Sequence, residues 1–327
     1  MTNLVSPHGS RELKPLIIRD KTESEAIIVS SSDIKRLELN SSASANIVML
    51  GAGYFTPLSG FMDKENSLNV ARKMQTTEGI FWPIPIMNLS SLKTTEFNVG
   101  EELLLLDPNY PDKRPIAIQT VNSVENLNSE ELETIAENVF GTTDSNHPGV
   151  VTFKNLGNFL VSGSVTVLNL SYFHADFPST FRTAQEIRDE IQSRGWEKVV
   201  AFQTRNPMHR AHEELCRMAM ERLDADGLVV HMLLGKLKLG DLPAEVRDDC
   251  IRTMVDHYFP ENSVMVMGYG FDMLYAGPRE ALLHAIFRQN MGATHLIVGR
   301  DHAGVGDFYG AFEAQEVFDK HVPDGAL

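Results

Sequence analysis

One stretch of the chain, residues 203–212, carries the side chains best suited to chemistry. It reads Gln-Thr-Arg-Asn-Pro-Met-His-Arg-Ala-His, with a guanidinium at Arg205 and imidazoles at His209 and His212. Histidines three residues apart lie on nearly one face of a helix. If a helix begins within this stretch, its unpaired amides, the imidazoles and the guanidinium would face one point. The combination predicts a site for a polyanion, most simply phosphate.

A strand followed by a helix should position these side chains. Residues 199–202 read as a buried strand, and apolar residues recur at helical spacing from Pro207 onward. Asn206 is predicted to cap the first turn, with Pro207 in the first helical position, where a missing N–H needs no partner. The positive end of the helix dipole would then lie beside residues 203–205. The apolar residues predicted to hold the helix on the sheet are Met208, Ala211, Leu215, Ala219 and Leu223.

A histidine pair at this spacing has two other interpretations. Histidines three apart are often a surface feature, or they form half of a zinc site. The stretch lacks the glutamate of the His-Glu-x-x-His pattern, and Cys216 and Cys250 are too far apart in sequence to supply a close cysteine pair. We therefore predict a phosphate site and no protein metal site.

Several segments resemble the ATP sulfurylase (sulfate adenylyltransferase) family, which belongs to a wider group of nucleotidyltransferases with a His-x-x-His phosphate motif. Residues 203–212 resemble its signature. Three further segments resemble family motifs. Residues 49–62 contain Tyr-Phe-Thr-Pro-Leu-Ser-Gly-Phe-Met, residues 275–281 read Tyr-Ala-Gly-Pro-Arg-Glu-Ala, and residues 299–304 read Gly-Arg-Asp-His-Ala-Gly. The likeness covers nearly the whole chain. Within the family, the chain resembles the bacterial type without a kinase domain, because the kinase phosphate-binding sequence Gly-x-x-x-x-Gly-Lys-Ser/Thr does not occur in it.

The resemblance implies roles for individual residues, and the two histidines would bind the β- and γ-phosphates of ATP. The catalytic residues that it implies are Thr204, Arg205, Asn206, His209 and His212. The sulfate ligands that it implies are Gln203, Arg205 and the backbone amide of Ala303. The nucleotide contacts that it implies are Arg205, Asn206, Pro207, Met208, Gly299, Arg300, Asp301 and His302.

The implied reaction joins ATP and sulfate into adenosine 5′-phosphosulfate (APS) and releases pyrophosphate, or runs in reverse. Sulfate would attack the α-phosphate in line, so the protein must position two anions that repel each other. At ~4 Å and an effective dielectric constant of about 20, two unit like charges repel by about 4 kcal/mol, so several cationic groups are needed. Mg²⁺ should arrive with ATP, because no carboxylate cluster indicates a protein metal cage.

Composition limits the class of protein. A chain of 327 residues is long enough for two domains. Its net charge of −15 opposes binding to nucleic acid, although arginines and histidines are concentrated between residues 205 and 222. No apolar run approaches the ~20 residues of a membrane span, and the N-terminus has no secretion signal. A cytoplasmic protein without membrane partners is expected, and the resemblance implies a homo-oligomer.

Residues 1–170 are predicted to form a mostly β domain, which the resemblance makes PUA-like. Short apolar runs separated by Gly, Pro, Asn and Asp indicate strands joined by loops. The strands predicted are 26–29, 47–50, 84–87, 102–106 and 115–121, and the helix predicted is 130–140.

Residues 171–327 are predicted to form a Rossmann-like nucleotidyltransferase domain with a parallel sheet, because strands alternate with helices. Thr183 and Glu186 form a capping box that opens its first helix. The strands predicted are 199–202, 227–234, 264–268 and 295–299, and the later helices are 246–259 and 279–291. The domain is expected to be C-terminally incomplete, because bacterial relatives continue with a Ser/Thr-x-x-Arg segment that contributes to the nucleotide site.

The loops after the strands should carry the function, since ligands bind beyond the carboxyl ends of parallel strands. These loops are 203–212, 235–241 and 299–306. The last combines Arg300 and His302 with three glycines, so its backbone amides can approach an anion closely.

Three other functions stay open at this point. A related nucleotidyltransferase could use an organic phosphate or a mononucleotide as acceptor. The chain could also be a non-catalytic nucleotide-binding remnant. RNA binding through the first domain is the third, although the acidic composition opposes it.

Overall fold

The structure is a computed structural model that describes residues 4–31, 33–91, 96–237 and 240–327. Two sheets organise these residues, one formed by strands from residues 35–167 and one by strands from residues 199–297. The elements of the first part are α1 (Lys21–Ser30), β1 (Lys35–Glu38), α2 (Ser41–Gly51), β2 (Gly60–Phe61), α3 (Lys64–Lys73), β3 (Leu89–Ser90), β4 (Glu102–Leu106), β5 (Pro115–Thr120), β6 (Ser123–Asn126), α4 (Ser129–Phe140), α5 (Pro148–Lys154) and β7 (Phe159–Val167).

Strand β7 is the centre of the first sheet, because it pairs with β2, β3, β5 and β6, all antiparallel. Strands β4 and β1 continue the sheet beyond β5, and β1 lies parallel to β4. The chain needs glycine at Gly163 of β7, where φ is +148° and a Cβ would lie 1.8 Å from the carbonyl oxygen of Thr120. This close approach lets one strand serve several partners.

The sequence-based assignments of the first part are only partly confirmed. Strands 102–106 and 115–121 and helix 130–140 are observed as β4, β5 and α4. The predicted strands 26–29 and 47–50 are wrong, because they lie in the helices α1 and α2, and residues 84–87 lie outside any strand. Helix α2 is buried along most of its length, so it lacks the polar face that reveals a helix in a sequence.

The second part forms the predicted parallel sheet, with strand order β10-β9-β8-β11. The first predicted helix is confirmed with its capping box, in which the Thr183 hydroxyl and the Glu186 carboxylate each accept from the other's backbone N–H. The elements are α6 (Phe173–Asp176), α7 (Ala184–Ser193), β8 (Val199–Thr204), α8 (Arg210–Leu223), β9 (Gly227–Leu233), α9 (Ala244–Tyr258), β10 (Val264–Tyr269), α10 (Gly277–Asn290), β11 (His295–Ile297) and α11 (Glu313–His321).

Helix α10 is buried on nearly all sides and joins the two parts of the chain. At its start, the Arg279 guanidinium donates to the carbonyl oxygens of Val70, Ala71 and Pro83. At its end, the Asn290 amide donates to the carbonyl oxygens of Tyr54 and Thr56. Both ends of α10 are therefore fixed to backbone of the first part.

No helix within the described ranges combines the length and the apolar character needed to cross a membrane.

Candidate active site

The strand order places a crevice beside β8. The chain proceeds outward from β8 to β9 and β10, and α10 then returns it to β11 on the other side of β8. The direction of winding therefore reverses between β8 and β11, and such a switch point is where open parallel sheets bind ligands. The loops that flank it are residues 203–212 and 299–306, the two loops with the strongest sequence signals.

The chain turns sharply where β8 ends at Thr204. The Thr204 hydroxyl accepts from the Asn206 N–H at 3.0 Å and donates to the Asn206 carbonyl oxygen at 2.8 Å. These bonds commit Asn206 to a turn, and helix α8 begins only at Arg210. The predicted helix cap at Asn206 and first helical position at Pro207 are therefore wrong. The residue at the cap position is His209.

The two histidines meet at this helix start, as their spacing predicted. Their rings stack with centroids 3.9 Å apart, and the Phe202 ring lies 5.5 Å from that of His212. The His212 Nδ1 accepts from the His209 N–H at 3.4 Å, so the neutral His212 ring carries its proton on Nε2. Burial, together with the neighbouring His209, lowers the pKa of His212. A neutral Nε2–H is a donor suited to a phosphate oxygen.

The packing of helix α8 differs from the prediction. Met208 before it is buried, but Leu215 is 38% exposed and Ala211 is exposed. The fully buried residues of the helix are Glu213 and Cys216, whereas Ala219 and Leu223 are partly buried and pack against the core as predicted. An apolar pattern cannot separate residues that pack on the sheet from apolar residues left on the surface.

The arginines of α8 contribute less positive charge to the site than their number suggests. Arg210 pairs with Glu213 at 3.3 Å, and Arg217 pairs with Glu214 and Glu221 at 2.7 and 2.6 Å. These pairs neutralise the helix surface. Among the arginines of residues 205–222, Arg205 is the one that reaches the loops of the other strands.

The Arg205 guanidinium brings three other loops together. Its Nη1 lies 3.2 Å from Asp241 Oδ2, in the loop after β9. Its Nη2 lies 3.5 Å from the carbonyl oxygen of Gly304, in the loop after β11. Its Cζ lies 5.3 Å from the ring centroid of Tyr275, in the loop after β10. The predicted convergence of loops is confirmed at this arginine, although residues 238 and 239 of the predicted loop 235–241 lie outside the described residues.

The two other groups expected to bind sulfate are unsatisfied. Within the described ranges, the Gln203 Oε1 is buried without a hydrogen-bond partner. The Ala303 carbonyl accepts from the Gly277 N–H at 3.1 Å, whereas its own N–H has no acceptor in that part of the chain. The unpaired Ala303 N–H is a donor that an anion can accept from, whereas the Gln203 Oε1 is an acceptor, so Gln203 would have to bind sulfate through its Nε2.

The remaining residues of loop 299–306 differ in exposure. Arg300 and Asp301 are exposed at its tip, and His302 lies beneath them. Asp301 and Ala303 both have left-handed backbone, with φ of +55° and +60°. A Cβ at Gly304 would lie 1.8 Å from Asp301 Oδ1, so the exposed Asp301 side chain would have to move, whereas Gly299 has open space around it. The approach of these glycine amides to an anion stays a prediction.

A buried polar chain supports this loop, and two of its members, Glu280 and His284, are given no role by the sequence analysis. His302 Nε2 lies 3.0 Å from His284 Nδ1, and His284 Nε2 lies 3.5 Å from Glu280. Burial lowers the pKa of both histidines well below their ordinary value and raises the pKa of Glu280 to about 7. The available signal was the four-residue spacing of Glu280, His284 and Arg288 on an otherwise apolar helix.

Titration of His212 gives a test of the phosphate position. A bound phosphate chain favours the imidazolium form, so pyrophosphate should raise the pKa of His212 from its lowered value in the free protein. Pyrophosphate binding should then take up protons and strengthen as the pH falls between the two pKa values. NMR of the imidazole protons with and without pyrophosphate measures this. An unchanged pKa would place the phosphates elsewhere.

Loops that converge at the switch point of a parallel sheet are typical of α/β proteins that bind nucleotides or other anions. Comparisons with known proteins narrow this class. Residues 178–326 match a family model described as ATP-sulfurylase, and residues 5–170 match one described as a PUA-like domain.

Curated relatives match along the whole chain. A sulfate adenylyltransferase of Alcanivorax borkumensis is 58% identical over 100% of this chain and 81% of the relative. One from Allochromatium vinosum is 54% identical over 99% of this chain and 81% of the relative. The chain belongs to the ATP sulfurylase family. The predicted family and the predicted fold class, a PUA-like domain followed by an α/β domain with a parallel sheet, are confirmed.

A solved structure has the same fold. It is described as a hexameric APS kinase from Thiobacillus denitrificans and superimposes with a TM-score of 0.72 at 25% identity. The match covers 98% of this chain and 56% of that one, so the chain spans little more than half of the solved protein.

Proposed function

We propose that the chain transfers the adenylyl group of ATP to sulfate and releases pyrophosphate. The observation that carries this proposal is the cluster at Arg205, whose guanidinium reaches three neighbouring loops beside the Ala303 N–H, a donor without a partner among the described residues. These are the groups that the family resemblance assigns to sulfate. The names of the relatives, at 58% and 54% identity, agree with the predicted sulfate adenylyltransferase activity.

In this mechanism, positioning and charge neutralisation supply the catalysis. Sulfate binds to Gln203, Arg205 and the Ala303 N–H, and one of its oxygens attacks the α-phosphorus in line. Thr204 and Asn206 shape the turn that holds the α-phosphate beside Arg205. No side chain forms a covalent intermediate, and no general base is needed because sulfate carries no proton at neutral pH.

The leaving pyrophosphate gains charge as the bond to the α-phosphorus breaks. His209 and His212 stand at the start of α8, where helix amides and imidazole N–H groups can donate to its oxygens. Donors that are already in place stabilise developing charge without reorganisation. Pro207 and Met208 form the segment between the turn and the helix, and Gly299, Arg300, Asp301 and His302 complete the nucleotide contacts.

Mg²⁺ is proposed to enter with ATP. Among the described residues, no three His, Cys, Asp or Glu side chains are grouped as a metal cage would require. Phosphate oxygens would therefore be the main ligands of the ion, and its charge would offset part of the repulsion between ATP and sulfate.

Residues 1–170 and 171–327 are the proposed limits of the two domains, and a homo-oligomer is the proposed assembly. The solved relative described as hexameric supports the second proposal. The charge of −15 argues against nucleic acid as a partner of the first domain.

The direct test is an acceptor comparison with the purified chain, ATP and Mg²⁺. Pyrophosphate release should require sulfate and should be accompanied by an equal amount of APS. Inorganic phosphate, an organic phosphate and a mononucleotide serve as alternative acceptors. Equal or faster release with any of them would assign the chain to a different nucleotidyltransferase reaction, and binding of APS without any turnover would make it a nucleotide-binding remnant.

A further inference from the structure

Tyr275 has an unusual backbone for its residue type. It lies in the loop after β10 with φ of +61°, in the left-handed region, and its side chain is only 5% exposed. A bulky aromatic residue is unfavourable in that region, where glycine or asparagine would fit without strain. Strain of this kind persists only where surrounding structure imposes it, and it concentrates at functional sites.

Three separate parts of the molecule impose this conformation. The Tyr275 carbonyl oxygen accepts from the Tyr309 hydroxyl at 3.0 Å and lies 3.1 Å from the Nε2 of His147, a residue of the first part of the chain. The amides on either side, Leu274 N–H and Ala276 N–H, donate to the Glu280 carboxylate at 3.0 and 2.9 Å. The peptide that carries Tyr275 is therefore held on both flanks and at its carbonyl.

The side chain reaches both members of the central ion pair. Its ring centroid lies 5.3 Å from Arg205 Cζ, within the range of a cation–π contact. Its hydroxyl lies 3.5 Å from Asp241 Oδ2, the same oxygen that Arg205 Nη1 approaches at 3.2 Å. One strained residue thus touches the cation and its counter-ion together.

We propose that Tyr275 is a positioning residue that orients the Arg205 guanidinium for sulfate. The ring covers one face of the guanidinium and so restricts its movement on that side. The Asp241 carboxylate holds Nη1 and is itself contacted by the tyrosine hydroxyl. Nη2 is then directed toward loop 299–306, 3.5 Å from the Gly304 carbonyl and one residue from the free Ala303 N–H. The inference rests on the proposed function, because it assigns to Arg205 the role of sulfate ligand.

The arrangement also gives the first domain a part in sulfate binding. His147 caps helix α5 through Nδ1, which accepts from the Val150 N–H at 3.2 Å, and its other nitrogen contacts the Tyr275 carbonyl. One imidazole therefore links the end of a helix in the first domain to the loop that orients the arginine.

The test compares Tyr275→Leu with Tyr275→Phe in steady-state assays of sulfate-dependent pyrophosphate release. Leucine keeps an apolar side chain but removes the aromatic face and the hydroxyl, so the KM for sulfate should rise about tenfold or more. The KM for ATP should change by less than about threefold, because its β- and γ-phosphates bind at the histidine pair. Phenylalanine keeps the ring and should recover most of the sulfate affinity.

Tyr258→Leu is the matched control. Tyr258 also lies under an arginine, with Arg210 Cζ 4.0 Å from its ring centroid, but it is 49% exposed at the end of α9. Its loss should leave the KM for sulfate unchanged. If Tyr275→Leu does not fold, Tyr275→Gly replaces it, since glycine adopts the left-handed backbone freely and equally lacks the ring.

The outcomes separate the inference from the proposed function. A wild-type chain without sulfate-dependent activity defeats the proposed function. An active wild type whose Tyr275→Leu and Tyr275→Gly variants keep the normal KM for sulfate overturns the inference and leaves the function standing. A parallel rise in both KM values would also overturn it, because general loosening of the site would then explain the effect.

Discussion

Replacement of Arg205 by alanine should reduce sulfate-dependent pyrophosphate release by at least about a thousandfold. The guanidinium is the cation that reaches all three neighbouring loops, and about 4 kcal/mol of repulsion between two anions corresponds to that factor in rate. The change also removes a cationic partner from Asp241, whose side chain is 9% exposed, so less of its negative charge is compensated beside the proposed sulfate position. The quantity to measure is kcat/KM for sulfate at saturating ATP.

Arg217→Ala provides a matched loss of one positive charge. Its guanidinium is 46% exposed and, among the described residues, is paired with glutamates of its own helix, so kcat/KM should stay within about twofold of wild type. The variant Arg205→Ala combined with Asp241→Asn separates the two causes, because it removes the Asp241 charge without restoring the guanidinium. Near-normal activity of Arg205→Ala would refute its assignment as the sulfate and α-phosphate ligand.

Replacement of His209 by alanine should lower kcat by about 10²–10³-fold, the usual effect of removing one donor to a developing oxyanion. His209 occupies the cap position of α8 and stacks on His212 at 3.9 Å, so its loss removes one donor and frees the ring of the other. The KM for sulfate should change by less than about threefold, since the proposed sulfate ligands are Gln203, Arg205 and Ala303. Single-turnover measurement with saturating ATP isolates the chemical step.

His257→Ala is the control for this change, because His257 is exposed on α9 and its ring, within the described part of the chain, bonds to the Thr253 carbonyl of its own helix. It should leave kcat and both KM values at their wild-type levels. If His209→Ala instead weakened sulfate binding while kcat held, the histidines would belong to the sulfate site and the order of substrates in the crevice would be reversed.

The sequence indicates where the site lies because its organisation follows a simple periodic rule. Alternating strands and helices predict a parallel sheet, and the loops at the carboxyl ends of its strands must meet. The contact of Arg205 with Asp241 and Gly304 confirms that reasoning. The histidine spacing likewise predicts the stacked pair.

The local details were harder to predict, for physical reasons. The sequence places the start of α8 three residues too early. The Thr204 hydroxyl forms hydrogen bonds with Asn206 that hold this residue in a turn, and these bonds exist only in the folded chain. Helices α1 and α2 resembled strands because a short apolar run reads alike in both states. The left-handed Tyr275 depends on His147, Tyr309 and Glu280, which the chain brings together from distant positions.

Because of helix α10, the boundary between the two parts along the sequence does not coincide with a boundary between two separate packed units in the structure. It is encoded in the second part, yet its two ends are anchored by carbonyls of the first. It also carries Glu280 and His284, which contact the loops after β10 and β11. A cut between the parts would strip the partners from Arg279 and Asn290 while uncovering apolar surface. Separating the two parts at that point would divide one hydrophobic core. Mutations in the first part are therefore expected to change activity at the site in the second.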